Sequence, residues 1–356
     1  MTSNEESKGN SLCPSREEIK ACQFHEWYPT FRRQRATIRS VVIPLEGHIA
    51  FIKYLLNDNE DGLRLPSFTR TSAFISEVAT KSTSDNLDML TEEYDFRELD
   101  NLIEEGIEKL GGTIMPKLNW SSPKDASWIN GNGSLKCKNA GDVYLLLKSS
   151  DFIIHDLLYA FDGCAGTDDI DNKSSNKGDI SINYHLILRK WCNLFPSMEF
   201  RCFVSNHRLI AISQRNHSQY YPHLEKQKLE IQDNIESFFI ENVKRIFADG
   251  KVQNYVFDCY IDKGRRVWLI DFNVWGETTD SLLFDWNELK NLSPQIIEHV
   301  GPKVRFVCGS KYVRPDPLAS YRAPIDTLDL TSKDFAQFMS LCTSSTNDED
   351  SSAQSS

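Results

Sequence analysis

The chain has 356 residues, 40% of them hydrophobic and 26% charged. That is enough apolar mass for a packed core, without any apolar run near the ~18 residues of a helical bilayer span. Forty Lys plus Arg against 51 Asp plus Glu give a net charge of −11. This balance argues against direct nucleic-acid binding unless the cations are segregated.

The ends read as tails. Residues 1–21 are rich in Ser, Asn and Glu, and the polar start Met1–Asn10 predicts no secretion signal. Residues 331–356 are expected to be mostly disordered, most clearly over 343–356. After the first tail, Cys22–Arg33 carries Phe24, Trp27, Tyr28 and Phe31 at helical spacing. Thr37–Ile43 reads as a strand closed by Pro44, and His48–Asn57 as a short helix. Asp95–Leu110 places Phe96, Leu99, Leu102, Ile103, Ile107 and Leu110 on one helical stripe, which Gly111-Gly112 stops. Thr113–Leu118 then reads as a strand and Asp142–Ser149 as a helix. Exposed loops are expected over 81–95 and 162–181, the second long enough to mark a lobe boundary.

The second half predicts strands at Tyr184–Trp191, Met198–Ser205 and Arg208–Gln214, the last two joined at Asn206-His207. A long helix is predicted over about Leu224–Phe247. Val252–Ile261 and Arg266–Asn273 form a further hairpin around Asp262-Lys263-Gly264-Arg265. Strands mixed with helices, several hairpin-paired, predict an α+β fold with an antiparallel sheet in the C-terminal lobe. The lobes are expected at 22–182 and 183–330. Nine cysteines without a C-x-x-C pair read as free thiols of a reducing compartment, with Cys192, Cys202 and Cys259 in apolar segments.

The last hairpin holds the strongest chemical signal. A four-residue turn at 262–265 sets Ile261 against Arg266, so that Asp258 opposes Leu269 and lies diagonal to Asp271. Side chains alternate along a strand, so Asp258, Asp271 and Asn273 project from one sheet face. Asp271 interrupts the apolar run VWLIDF, and a bare carboxylate there would cost several kcal/mol. Two Asp and one Asn supply hard oxygen donors suited to Mg²⁺. A solvent-facing carboxylate pair at a strand end is the other reading, and a one-residue bulge would alter the register.

Nearby, Arg189, Lys190, Arg201, Arg208 and Arg215 stand against Glu199 alone in 183–215, a local charge of +4 in an acidic chain. Clustered cations within a Debye length of ~10 Å favour phosphate. Lys117 ends a predicted strand and leads into a Ser/Pro loop between Trp120 and Trp128. A lysine there can reach an α-phosphate while the loop's N–H groups and Lys124 cover the outer phosphates; a turn with core tryptophans is the plainer alternative. The chain has no P-loop, kinase catalytic loop, H-E-x-x-H or G-x-S-x-G motif.

PKLNWSSPKDASWI (116–129), SLKCK (134–138), LLLKSSDF (145–152), LRKWCNLFPSMEFRCFV (188–204), ISQRNHSQYY (212–221) and VFDCYIDKGRRVWLIDFNVWGETTDSLLF (256–284) together resemble the cell division cycle protein 123 family. So does CQFHEWYPTFR at 22–32. The resemblance implies an ATP-grasp-like fold, with ATP and Mg²⁺ held between two lobes. It further implies a cytoplasmic assembly chaperone that binds the γ subunit of eukaryotic translation initiation factor 2 and promotes assembly of the heterotrimer, supporting translation initiation and cell-cycle progression. No nucleic acid or membrane is implied as a direct partner.

The resemblance puts the nucleotide lysine at Lys117, the phosphate-covering loop at Trp120, Ser122 and Lys124, and the adenine-side strand at Arg189, Lys190 and Trp191. Glu199 and Arg201 follow, and Asp258, Asp271 and Asn273 fall at the metal-ligand positions. The chain departs from the family's usual residues at Ser122, Lys124, His185 and Val274; Lys124 gives up the bidentate phosphate contact of an arginine. An ATP-grasp carboxylate–amine ligase is the alternative activity, and no residue is assigned a catalytic role.

Overall fold

The computed structural model describes residues 13–57, 96–130, 133–162, 164, 182–292 and 300–321. The loop expected over 81–95, most of that over 162–181, and the C-terminal tail lie outside them. The chain divides into two compact units. The first comprises Met1–Arg39, Tyr159–Asp179 and Cys192–Pro317, the second Ser40–Leu158, Ile180–Trp191 and Leu318–Ser356.

Helix α1, Arg16–Ala21, lies inside the stretch expected to be tail. It forms because Ser15 and Glu18 make a reciprocal capping box, with Glu18 N–H donating to Ser15 Oγ and Ser15 N–H to Glu18 Oε2. Helix α2, Phe24–Arg33, buries Phe24, Trp27, Tyr28 and Phe31, the stripe read from the sequence.

The second unit begins with strand β1, Ser40–Pro44, and helices α3, Ile49–Leu56, and α4, Arg97–Lys109. Strand β2, Ile114–Lys117, helices α5, Ala140–Lys148, and α6, Asp151–Tyr159, and strand β3, His185–Lys190, follow. The sheet order is β1-β3-β2, antiparallel throughout. Leu186 and Leu188 of β3 join Leu99, Ile103, Ile107 and Tyr144 in one apolar core. At Gly106 the approach of helix to sheet is close enough to require glycine, since a Cβ would stand 2.6 Å from Leu188 Cδ1.

The first unit resumes with β4, Glu199–Ser205, and β5, Arg208–Gln214. Asn206 and His207, at φ 51° and 58°, make the tight turn between them. Helices α7, Pro222–Lys226, and α8, Lys228–Phe238, precede β6, Tyr255–Ile261, and β7, Val267–Val274. Helix α9, Trp286–Asn291, and strand β8, Lys303–Arg305, complete the unit. Its sheet runs β7-β6-β4-β5-β8, with only the β5–β8 pairing parallel. The fold is α+β.

The helix predicted over Leu224–Phe247 is broken. A π turn spans Phe239–Val243, Lys244 leaves helical geometry at ψ 121°, and Arg245 turns left-handed. Packing overrides the pattern here. Phe239 stacks on Phe257, and Phe247 stacks on Phe272 at 3.9 Å. A continuous helix would carry Phe247 about 12 Å past Phe239 along its axis.

The β6–β7 register also differs from expectation. Arg265, at φ 68°, closes a three-residue loop, so Ile261 pairs with Val267 rather than Arg266. Cys259 pairs with Leu269, and the next pair is Asp258 with Asp271. Ile270 is the extra residue of a bulge. Asp258 is therefore directly opposite Asp271, not diagonal to it and not opposite Leu269. The shared face survives the correction, because Asp258 and Asp271 are now a direct cross-strand pair and Asn273 follows two residues on; the one-residue change of register and the one-residue bulge cancel.

Candidate functional site

The twelve residues singled out in the sequence fall in two groups. Lys117, Trp120, Ser122, Lys124, Arg189, Lys190 and Trp191 belong to the second unit; Glu199, Arg201, Asp258, Asp271 and Asn273 belong to the first.

In the second unit, Lys117 pairs across the sheet with Ile187, and Met115 with Arg189. Alternation then sets Lys117 and Arg189 on the sheet face opposite the Leu186–Leu188 core, and both are buried. Lys190 points the other way and is exposed. Trp191 follows the strand, its N–H bonded to Thr113 O at 3.1 Å. Asn119 fastens the loop after Lys117 to β3, accepting from His185 N–H at 2.7 Å and donating to Asn183 O at 3.0 Å.

Trp120, Ser122 and Lys124 are half-buried along that loop. The loop's own N–H groups are largely spent. Lys124 N–H donates to Ser122 O, and Leu118 N–H donates to Ser121 O. Ser121 donates from N to Asp156 Oδ2 at 2.7 Å and from Oγ to Oδ1 at 2.9 Å. Burial pushes the Asp156 carboxyl up to about 7, against the pull of these donors and the Lys117 charge.

In the first unit the strand pairings converge on Asp258. Arg201 is its direct cross-strand neighbour on β4, Asp271 its neighbour on β7, and Asn273 lies two residues beyond Asp271. Arg201 grips it bidentately, Nε to Oδ1 at 2.8 Å and Nη2 to Oδ2 at 2.9 Å. Arg215 adds a third bond, Nε to Oδ2 at 3.0 Å. Asp258 beside it raises the Arg215 guanidinium above its ordinary value, with Glu199 and Asp271 adding to the effect. The third nitrogen of Arg201 donates to Asp280 O at 2.7 Å. The His217 ring, 3.9 Å from the Asp280 carboxylate, and the Leu282 N–H hold that carboxyl down at about 2. Phe203, Val256, Trp275, Phe284 and Trp286 form the apolar neighbourhood on this side of the sheet.

Whether a hard cation fits can be judged from the donors. A carboxylate offers roughly four lone-pair sites, and Asp258 spends three on guanidinium N–H groups. Asp271 is half-buried with Phe272 N–H on Oδ1. Asn273 Nδ2 is buried without a hydrogen-bond partner among the described residues; it is a donor, suited to a phosphate oxygen, and only the amide's Oδ1 could serve a cation. Two carboxylates and one amide make part of an octahedron, not a full cage. Among the described residues, no group of three or more His, Cys, Asp or Glu is placed to hold a metal. What these residues offer a hard cation is a partial set of oxygens, which phosphate oxygens would have to complete.

Asp156, Ser121 and Asp280 were missed in the sequence. Their roles depend on pairings 35 residues apart for Asp156 with Ser121 and 79 for Asp280 with Arg201. Arg215 was visible only as one cation of the basic stretch.

The chain is 42% identical over 328 residues to a translation initiation factor eIF2 assembly protein of Xenopus tropicalis, covering 89% of this chain and 92% of the relative. A protein of the same description from Dictyostelium discoideum is 40% identical over 317 residues, covering 79% and 78%. Among solved structures, C-terminally truncated Cdc123 from Schizosaccharomyces pombe matches with a TM-score of 0.65 and 36% identity, over 83% of this chain and 98% of that one. The D123 family model spans residues 27–331, taking in both the Lys117 strand and the Asp258–Asp271 pair: the chain belongs to the D123 family.

Proposed function

We propose that this protein is an ATP- and Mg²⁺-binding assembly factor for translation initiation factor eIF2, with an ATP-grasp-like fold, acting on the γ subunit. The assembly role is supported by the relatives described as eIF2 assembly proteins, which match nearly end to end. The nucleotide reading is carried by one observation: Asp258 opposes Asp271 on a sheet face that also bears Asn273 and two guanidiniums.

Asp258, Asp271 and Asn273 would hold Mg²⁺. Held there, Mg²⁺ would supply positive charge against the phosphates of a nucleotide. Arg201 and Arg215 fix Asp258 in place, and Lys117 and Arg189 supply buried positive charge on their own sheet face. Lys124 places a further cation on the loop after Lys117.

Isothermal calorimetry of ATP, with and without Mg²⁺, tests this on the wild type and Asp271→Ala. Magnesium-dependent binding in the wild type and at least a tenfold loss in the variant are expected, since a lost charge-assisted contact is worth about 1.5–3 kcal/mol. Equal affinity in both proteins overturns the site. The assembly reading is tested by pull-down of the γ subunit, which the wild type captures and which must fail with an unrelated nucleotide-binding protein.

A further inference from the structure

We propose that Asp156 is a positioning residue for the nucleotide site, holding the loop Trp120–Lys124 in place from helix α6. The inference rests on the ATP reading above and adds to it a part that does not touch the ligand.

The geometry is that of a buried anchor. Asp156 is 6% exposed on α6, and Lys117 is fully buried on β2. Both Asp156 oxygens receive Ser121, one from its N–H and one from its hydroxyl. The Trp120 N–H and the Lys117 charge act on the same carboxylate. A second carboxylate makes the reciprocal tie. Asp125, 2% exposed just beyond Lys124, accepts from Ser150 Oγ at 2.6 Å and from Phe152 N–H at 3.2 Å, at the opening turn of α6. The loop is therefore pinned to one helix on both sides of Ser122-Pro123-Lys124.

The chemistry explains why a carboxylate suits this place. A buried lysine needs a counter-charge, and a tight turn needs an acceptor for its inward N–H groups. Asp156 supplies the acceptor from a rigid helix, with the Lys117 charge acting on the same carboxyl. Residues that fix a site through others of this kind govern affinity by pre-organisation rather than by contact.

Asp156→Asn and the milder Ser121→Ala are compared with wild type by ATP–Mg²⁺ calorimetry. Amide hydrogen exchange over residues 118–127, without nucleotide, is read on the same proteins. Asp156→Asn is expected to weaken ATP binding by about tenfold or more and to speed exchange in that segment by a similar factor. Ser121→Ala keeps the N–H bond and should give a smaller change in both, which keeps the idea testable if Asp156→Asn does not fold. Unchanged affinity in a folded variant overturns the inference, as does lost affinity with unchanged exchange. A wild type that binds no ATP, while exchange still quickens in Asp156→Asn, sinks the nucleotide reading but leaves Asp156 as the anchor of the loop.

Discussion

Arg201 and Asp258 face each other across β4 and β6 and share two parallel hydrogen bonds of 2.8 and 2.9 Å, with side chains 8% and 3% exposed. The pair stands beside Asp271, so the charge that would repel a second carboxylate is already shared with a guanidinium. The fixed carboxylate is then an element of the fold as much as of the site. Arg201→Met removes one partner and leaves Asp258 to Arg215 alone. The loss expected in urea unfolding is about 3–5 kcal/mol, the cost typical of breaking a buried pair. A loss below about 1 kcal/mol would mean that Arg215 suffices.

Asp156 makes stability depend on pH in a defined direction. Its carboxyl titrates near 3.8 in the unfolded chain and is raised to about 7 by burial in the fold. Between these values the folded protein binds a proton that the unfolded chain has released, so stability falls as pH rises through this window. Asp156→Asn removes that dependence. The difference in unfolding free energy between variant and wild type should grow by a few kcal/mol from pH 4.5 to 7. Parallel curves would contradict the assignment.

Tyr144 donates its hydroxyl to Asp100 Oδ1 at 2.5 Å inside the second unit's core. Burial, with Asp100 next, pushes the phenol far above its ordinary range. Tyr144→Phe keeps the ring and removes the donor, at an expected cost of about 1–3 kcal/mol in chemical denaturation.

The thiols divide by exposure. Cys202 and Cys259 are buried with Sγ atoms 3.7 Å apart, and burial raises the Cys202 thiol well above its ordinary value. Cys13 and Cys308 are exposed. Brief iodoacetamide treatment followed by mass spectrometry should label Cys13 and Cys308 and spare Cys202 and Cys259 until denaturant is added.

What could be read without coordinates follows the range of the forces involved. The α2 stripe, the α4 stripe and the Asn206-His207 turn rest on neighbours within a few residues, and each appears as expected except that Leu102, placed on the α4 stripe, is exposed. The face shared by Asp258, Asp271 and Asn273 was legible because alternation is a local rule. The Ile270 bulge and the break after Phe239 were not: the break answers to the stacking of Phe239 and Phe247 on the sheet, and the bulge to a strand pairing that a linear pattern does not carry. Arg215 on Asp258 and Asp156 on Ser121 are pairings made in space, which a linear pattern of charges does not reveal.

The order β1-β3-β2 has a consequence for how the chain is made. The outer strands leave the ribosome first and cannot bond to each other; Ser40 waits for Arg189 and Ile114 for Lys190. A fragment ending at residue 182 holds two unpaired edges and lacks the strand that joins them. Nascent protein stalled there would be a target for holdases and proteases until the central ribbon emerges, so biogenesis of this unit is coupled to synthesis well into the chain's second half.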